Sequence, residues 1–240
     1  MAQLHHHIAE TQAIILAGGL GTRLRSAVPD LPKCMAPVNG KPFIAYLIDN
    51  FLQKGIQQFI LSLGYKHESI TDFIQQAYPQ INIQFVIEKE PLGTGGAIRL
   101  ACKAATSKHV IATNGDTMFK VNVDALLQQH ISENADCSLS LKPLKNFNRF
   151  GVVELNDEHR ITSFKEKQQY AEGLINGGVY AIDVQSFLQT QLPEKFSFEK
   201  DYLEAFYSAK KMIGFIDDAY FIDIGIPEDF QQAQIDFASN

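Results

Sequence analysis

The sequence predicts an α/β fold: a mostly parallel sheet with helices on both faces. Three observations carry that expectation. Over roughly the first 135 residues, apolar β-rich runs alternate with amphipathic helical stretches, a βαβα succession that builds parallel sheets. The first apolar run leads straight into a glycine-rich turn, as strand-to-helix connections in such folds do. The 240 residues are 45% hydrophobic and hold no linker, low-complexity segment or repeat, so one domain can bury its own core.

Taken in order, residues 13–17 (AIILA) read as a buried strand, and 43–52 have apolar residues at helical spacing up to Gly55. Residues 59–63 are the next strand and 68–78 the next helix. A third pair follows at 83–87 and 95–105, and a fourth at 110–113 and 123–133. After residue 136 the rhythm changes. Strand-like segments at 137–141, 151–155, 161–164 and 179–182 are separated by turns, and helices return at 198–209 and 227–237, the first of them with Ser197 as its N-cap. The expectation is a single domain, 1–240, with one half at about 1–135 and a second at about 136–240 carried on the same sheet.

Charge and cysteine usage exclude several classes. With 21 basic and 27 acidic residues the net charge is -6, which argues against a surface that grips nucleic acid. A phosphate pocket needs only two or three cations and remains open. Cys34, Cys102 and Cys137 are odd in number and widely spaced, without a CxxC pair, so reduced thiols in a reducing, cytoplasmic compartment are expected rather than disulfides or zinc. No signal-peptide pattern and no membrane-spanning apolar run is seen. His5, His6 and His7 read as a solvated start, since adjacent side chains do not converge on one ion.

The segment Leu16-Ala17-Gly18-Gly19-Leu20-Gly21-Thr22-Arg23-Leu24 follows the first strand directly. Its glycines let backbone amides approach a phosphate chain, and Arg23 adds a fork of donors. It lacks the third glycine of the dinucleotide fingerprint, and Gly40-Lys41 is followed by Pro42, which excludes a Walker A loop. Glycines alone would fit a tight turn equally well; Thr22-Arg23 and the later Lys33, on a polar proline-rich loop, favour phosphate. Asp116 stands just past the strand at 110–113, where open α/β sheets bind ligands, and Asp223 follows an apolar run. Two such carboxylates suit one hard cation; Asx-turn or capping roles are the plain alternative for each.

These residues carry a resemblance. GGLGTRL followed by Leu31-Pro32-Lys33 is similar to the signature of the sugar 1-phosphate nucleotidyltransferases. The similarity continues through 88–96 (EKEPLGTGG), Asn114-Gly115-Asp116, Glu166-Lys167, Asn176-Gly177-Gly178 and 221–229 (FIDIGIPED). It spans nearly the whole chain in order, with Cys34 departing from the proline usual after the lysine. Segments 35–43, 174–180, 195–199 (KFSFE) and 220–229 resemble the branch of the family that transfers a guanylyl group to D-glycero-α-D-manno-heptose 1-phosphate.

The resemblance implies a Rossmann-like three-layer α/β/α fold with a mixed sheet, its first half binding nucleotide and its second the sugar phosphate. It implies GTP and a sugar 1-phosphate as substrates, GDP-heptose for surface polysaccharides as product, and magnesium held by Asp116 and Asp223. Arg23 would then meet the β- and γ-phosphates and Lys33 the α-phosphate. Leu16, Ala17, Gly18, Gly19, Gly21, Thr22, Glu88, Gly93 and Thr94 would surround the nucleotide, with Glu88, or its neighbour Glu90, reading the base. Glu166, Lys167, Asn176 and Gly177 would hold the sugar phosphate, although Lys165-Glu166-Lys167 also fits a solvated strand end and Asn176-Gly177 a simple turn. Arg149 fits either acceptor surface or a surface ion pair. Uridylyl or thymidylyl transfer to a hexose 1-phosphate, and a non-catalytic nucleotide-sugar-binding subunit, stay open as alternatives, as does a homo-oligomer.

Overall fold

The computed structural model describes residues 8–19, 24 and 31–238. Its elements run β1 (Gln12–Ala17), a 3-10 turn at Lys33–Met35, β2 (Pro37–Val38), β3 (Lys41–Pro42), α1 (Phe43–Gln53), β4 (Gln58–Leu63), α2 (His67–Ala77), β5 (Asn82–Ile87), α3 (Gly93–Ala104), β6 (His109–Asn114), β7 (Thr117–Phe119) and α4 (Val123–Ser132). Then come β8 (Cys137–Phe147), β9 (Val152–Leu155), β10 (Ile161–Lys165), β11 (Tyr170–Asp183), α5 (Val184–Leu188), a π-helical stretch at Phe198–Glu204, β12 (Met212–Ile216), β13 (Phe221–Asp223) and α6 (Pro227–Asp236).

Seven strands form the main sheet in the order β12-β8-β11-β6-β1-β4-β5. β1 pairs in parallel with β4 and β6, β4 with β5, and β12 with β8. Only β11 runs antiparallel, between β6 and β8. The chain winds outward from β1 through β4 to β5, then returns to add β6 on the other side of β1. The strand order therefore reverses between β1 and β6, and a crevice opens beyond their carboxyl ends, at Ala17-Gly18 and Asn114-Gly115.

Period-two alternation sorts the strands into two apolar layers. Ala13, Ile15 and Ala17 of β1 and Phe59, Leu61 and Leu63 of β4 pack with Phe43, Leu47, Ile70, Leu126 and Phe230 from α1, α2, α4 and α6. Ile14 and Ile60 face the opposite way, onto Ile98 of α3, Phe187 of α5, and Phe198 and Tyr202. This is the three-layer arrangement that the sequence predicted.

The second half departs from expectation in three places. β8 and β11 run well past the expected 137–141 and 179–182, pairing as a long arm from Tyr170↔Phe147 to Ile182↔Cys137. Their outer residues are polar and glycine-rich because they extend beyond the apolar layers. Asn176-Gly177-Gly178 is a bulge inside β11, where the register with β8 shifts between Asn176 and Tyr180, rather than a turn between strands. The segment expected as a regular helix over 198–209 is π-helical over Phe198–Glu204, with Ser197 as its N-cap, accepting from the Lys200 N–H at 3.2 Å. The widened turn stacks Phe198 on Tyr202 at 5.2 Å, and both rings meet Phe187.

Candidate active site

Two adjoining cavities open at the carboxyl ends of β1 and β6. The first, ≈ 550 Å³, is lined by Leu16, Ala17, Gly18, Gly19, Lys33, Glu88, Gly93, Thr94, Asp116 and Asp223, all expected at the nucleotide or the metal. The second, ≈ 710 Å³, is lined by Glu166, Lys167, Asn176 and Gly177, all expected at the sugar phosphate. Asn114, Thr117, Asp223 and Gly225 belong to both walls, so Asp223 stands where the two cavities meet, and Asp116 lines the first. Gly21, Thr22 and Arg23 lie outside the described residues.

A short ribbon brings the carboxylates together. β7 pairs antiparallel with β13, setting Asp223 opposite Thr117, and the Ile224 N–H reaches the Asp116 carbonyl at 3.0 Å. Asp116 Oδ1 accepts from the Thr117 hydroxyl at 3.2 Å, and Asp223 Oδ1 from the Gly225 N–H at 2.8 Å, so local bonds hold each side chain. The Lys33 ammonium, 12% exposed, pairs directly with Asp116 and lies 3.7 Å from Asp223 Oδ1. That contact tests the fit for a metal: two carboxylates already converge on one cation, and their oxygen donors suit a hard divalent ion. No group of three or more His, Cys, Asp or Glu side chains is assembled for a metal among the described residues. Cys34, beside Asp116, is buried, and burial together with the Asp116 charge pushes its thiol up to about 12, which keeps it protonated and unreactive.

Around the first cavity the chain packs tightly. A Cβ on Gly18 would stand 2.5 Å from Glu88 Oε1 and 3.2 Å from the Gly64 nitrogen, so glycine there lets the Glu88 carboxylate lie against the strand end. Glu88 Oε2 accepts the Leu92 N–H at 2.9 Å. Burial raises the Glu88 carboxyl above its usual range, opposed by that hydrogen bond. Gly93 has φ +73, and a side chain there would strike the Phe196 carbonyl at 2.5 Å. That carbonyl accepts the Gly95 N–H at 3.0 Å, which ties the first turn of α3 to the 196–199 segment.

Some expected side chains are engaged by the protein itself. Asn176 donates to the Tyr180 hydroxyl at 2.9 Å and accepts from the Gly178 N–H at 3.0 Å, which holds the bulge open at the acceptor wall. The Lys165 ammonium pairs with Glu154, whereas Glu166 and Lys167 are exposed along the rim. Arg149 makes the ion pair, with Asp229, and also lines the second cavity. Sequence reasoning named Asn114 only as part of Asn114-Gly115-Asp116 and did not single out Thr117, Tyr180, Glu199 or Lys200, which also line these walls. The KFSFE similarity was the one signal pointing to Glu199.

The sequence pattern of the family described as nucleotidyl transferase matches residues 12–240. Over 223 residues, 93% of this chain and 96% of the relative, the sequence is 52% identical to the D-glycero-alpha-D-manno-heptose 1-phosphate guanylyltransferase of Aneurinibacillus thermoaerophilus. It is 43% identical, over 91% of this chain and 96% of the relative, to the enzyme of the same description from Campylobacter jejuni subsp. jejuni serotype O:2. The crystal structure of HddC from Yersinia pseudotuberculosis complexed with GMP-PN superposes with a TM-score of 0.86 at 37% identity, covering 95% of this chain and 99% of that one.

Proposed function

The chain belongs to the nucleotidyl transferase family, and from that premise we propose that it transfers a guanylyl group from GTP to D-glycero-α-D-manno-heptose 1-phosphate. The products are GDP-heptose, a precursor for surface polysaccharide, and pyrophosphate. The observation that carries this reading is the meeting of two cavities at Asp223, beside Asp116, one bordered by the glycine-rich strand end and the other by Glu166 and Lys167. Relatives described as heptose 1-phosphate guanylyltransferases supply the sugar and the base.

The reaction needs no enzyme nucleophile. A phosphate oxygen of the sugar 1-phosphate attacks the α-phosphorus of GTP, and pyrophosphate leaves in line. Two anions must be brought together, so positioning and charge neutralisation supply most of the catalysis. Asp116 and Asp223 would hold a magnesium ion, which supplies positive charge between the reacting phosphates. The Lys33 ammonium would hold the α-phosphate. Gly18, Gly19, Gly21 and Thr22 offer backbone amides to the phosphate chain, and Arg23 takes charge on the leaving pyrophosphate. Glu88 receives the N–H donors of guanine. Lys167 meets the sugar phosphate, Glu166 accepts sugar hydroxyl donors, and the bulge at Asn176-Gly177 shapes the acceptor wall. No helix among the described residues is long and apolar enough to cross a membrane.

A matrix of GTP, ATP, UTP and dTTP against heptose, mannose and glucose 1-phosphates, read by pyrophosphate release and product mass, tests the proposal. GDP-heptose should be the dominant product. Dominant UDP- or dTDP-hexose would overturn it.

A further inference from the structure

Glu199 lies in the wall of the second cavity, half-buried, on the first turn of the π-helical stretch. Its Oε2 atom receives two hydroxyl donors, Thr94 Oγ1 at 2.8 Å and Ser197 Oγ at 3.0 Å. The polarity of both bonds is fixed. Thr94 Oγ1 already accepts the Phe198 N–H at 2.9 Å, and Ser197 Oγ already accepts the Lys200 N–H at 3.2 Å. Each hydroxyl has one proton, and its remaining partner is the carboxylate. Oε2 is thus engaged and the side chain is held in one orientation. Oε1 has no hydrogen-bond partner among the described residues, and no cation there lies within ion-pair reach of Glu199.

Two neutral hydroxyls do not explain a carboxylate, because a glutamine carbonyl would receive them equally well. A half-buried charge without a cationic partner is costly unless further donors reach it. What is left over is an acceptor-only oxygen, fixed in place, on the side of the site that receives a polyhydroxylated substrate.

We infer that Glu199 is a specificity-determining residue for the acceptor: its Oε1 receives a hydroxyl donor of the sugar 1-phosphate. Thr94 is the positioning residue that aims it. The inference rests on the sugar-nucleotide reading above and extends it. It gives Thr94 a second office, since this residue lines the nucleotide cavity while its side chain reaches across to the acceptor wall. The first turn of α3, held to the Phe196 carbonyl, is the element through which the nucleotide side sets the acceptor side.

Glu199→Gln is the informative variant. The amide carbonyl keeps both hydroxyl donors, and the amino group replaces Oε1, so the fold is kept and one acceptor becomes a donor. Wild type is first run against heptose, mannose and glucose 1-phosphates, and the variants are then run on whichever sugar it prefers. A preference for a hexose would count against the heptose reading and leave the Glu199 test intact. Glu199→Gln should lose roughly ten- to a hundredfold in kcat/KM for the sugar 1-phosphate, with KM for GTP changed by less than about twofold. Thr94→Val should move the same constant in the same direction by a smaller factor, and Thr94→Ser should recover most of that loss. Among monodeoxy analogues of the sugar, one should be penalised in wild type and not further penalised in Glu199→Gln. An unchanged acceptor constant in Glu199→Gln, or a loss confined to KM for GTP, overturns the assignment. A Thr94→Val effect that Thr94→Ser does not rescue overturns the positioning role.

Discussion

Glu88→Gln tests base recognition at a single atom. In the structure Glu88 Oε2 accepts the Leu92 N–H at 2.9 Å, while Oε1 leans on Gly18 at the edge of the nucleotide cavity. A glutamine in the same rotamer keeps its carbonyl on Leu92, because a backbone N–H does not bond to an amide NH2 group. Its amino group then stands where Oε1 was, and the surface offered to the base turns from acceptor to donor. Guanine presents two adjacent N–H donors on its Watson–Crick edge, so attraction becomes repulsion. Hydrogen bonds to charged groups contribute about 1.5–3 kcal/mol. At about 1.4 kcal/mol per decade, kcat/KM for GTP should fall roughly ten- to a hundredfold. Activity with UTP or dTTP should rise relative to GTP. Burial raises the Glu88 carboxyl, and protonation places a donor on it. Wild-type kcat/KM for GTP should therefore decline as pH falls, starting at a higher pH than for an ordinary carboxylate, and Glu88→Gln should lack that limb. Gly18→Ala should lower kcat/KM for GTP in the same sense, since its Cβ would stand 2.5 Å from Oε1 and displace the flexible carboxylate. Steady-state kinetics with the three nucleotides reads all of this. An unchanged GTP preference in Glu88→Gln would refute the reasoning and move base reading to Glu90 or to the backbone.

Asp223→Asn should reduce turnover at limiting magnesium at least about a hundredfold with the melting temperature preserved, because it removes half of the carboxylate pair; normal turnover in that variant would rule out the metal role. Lys33→Ala should cost about 3 kcal/mol of transition-state stabilisation, roughly a hundredfold in kcat. Without the ammonium between Asp116 and Asp223, its metal-free form should also melt lower than wild type and gain more from added magnesium; a rise in KM alone would mean uniform binding instead. His130 is fully buried, 3.0 Å from Ser138 Oγ and 3.1 Å from His109 Nδ1, and burial, then the neighbouring His109, pushes it from 6.5 down to about 3. Its folded value lies below the unfolded one, so the stability it contributes is fully present above pH 6.5 and is lost as pH falls towards 3, at up to about 1.4 kcal/mol per unit. Urea unfolding of wild type and His130→Gln at pH 7 and 5 should show a shallower loss in the variant; equal slopes would place the acid sensitivity elsewhere.

The first half of the fold was legible because its inner strands β1, β4 and β6 are buried on both faces and read as continuous apolar runs such as AIILA, set apart by helices of clear 3.6 periodicity. Its boundaries moved by only a residue or two, as at β4 (Gln58–Leu63) against the expected 59–63. β7 and β13 were not legible: three residues are too short for any period, yet this ribbon sets Asp223 beside Asp116. Gly177 and Gly178 read as a turn because glycine signals broken structure, and a bulge within a long strand uses it for the same backbone freedom. In the site, Asp116 was legible as a carboxylate at a strand end. The Thr94 to Glu199 bond was not, because it joins residues far apart in sequence through a helix start and a π-helical turn that no local pattern announces.

Lys33 explains why the paired carboxylates are compatible with a folded site before any metal arrives. Two carboxylates set on one ribbon repel, and that repulsion is strongest where water is partly excluded. A single ammonium on a flexible stem offsets it in the resting chain. It is compact enough to yield to a divalent ion, whereas the rigid guanidinium of an arginine would bind the same oxygens as a fork and compete with the metal for them. On the proposed metal role, a divalent ion taking Asp116 and Asp223 would leave Lys33 a cation in the wall of the first cavity, where the triphosphate would lie. On that proposal, holding the metal and freeing the lysine would be one event, because the carboxylates that would hold the ion are those that Lys33 now pairs with.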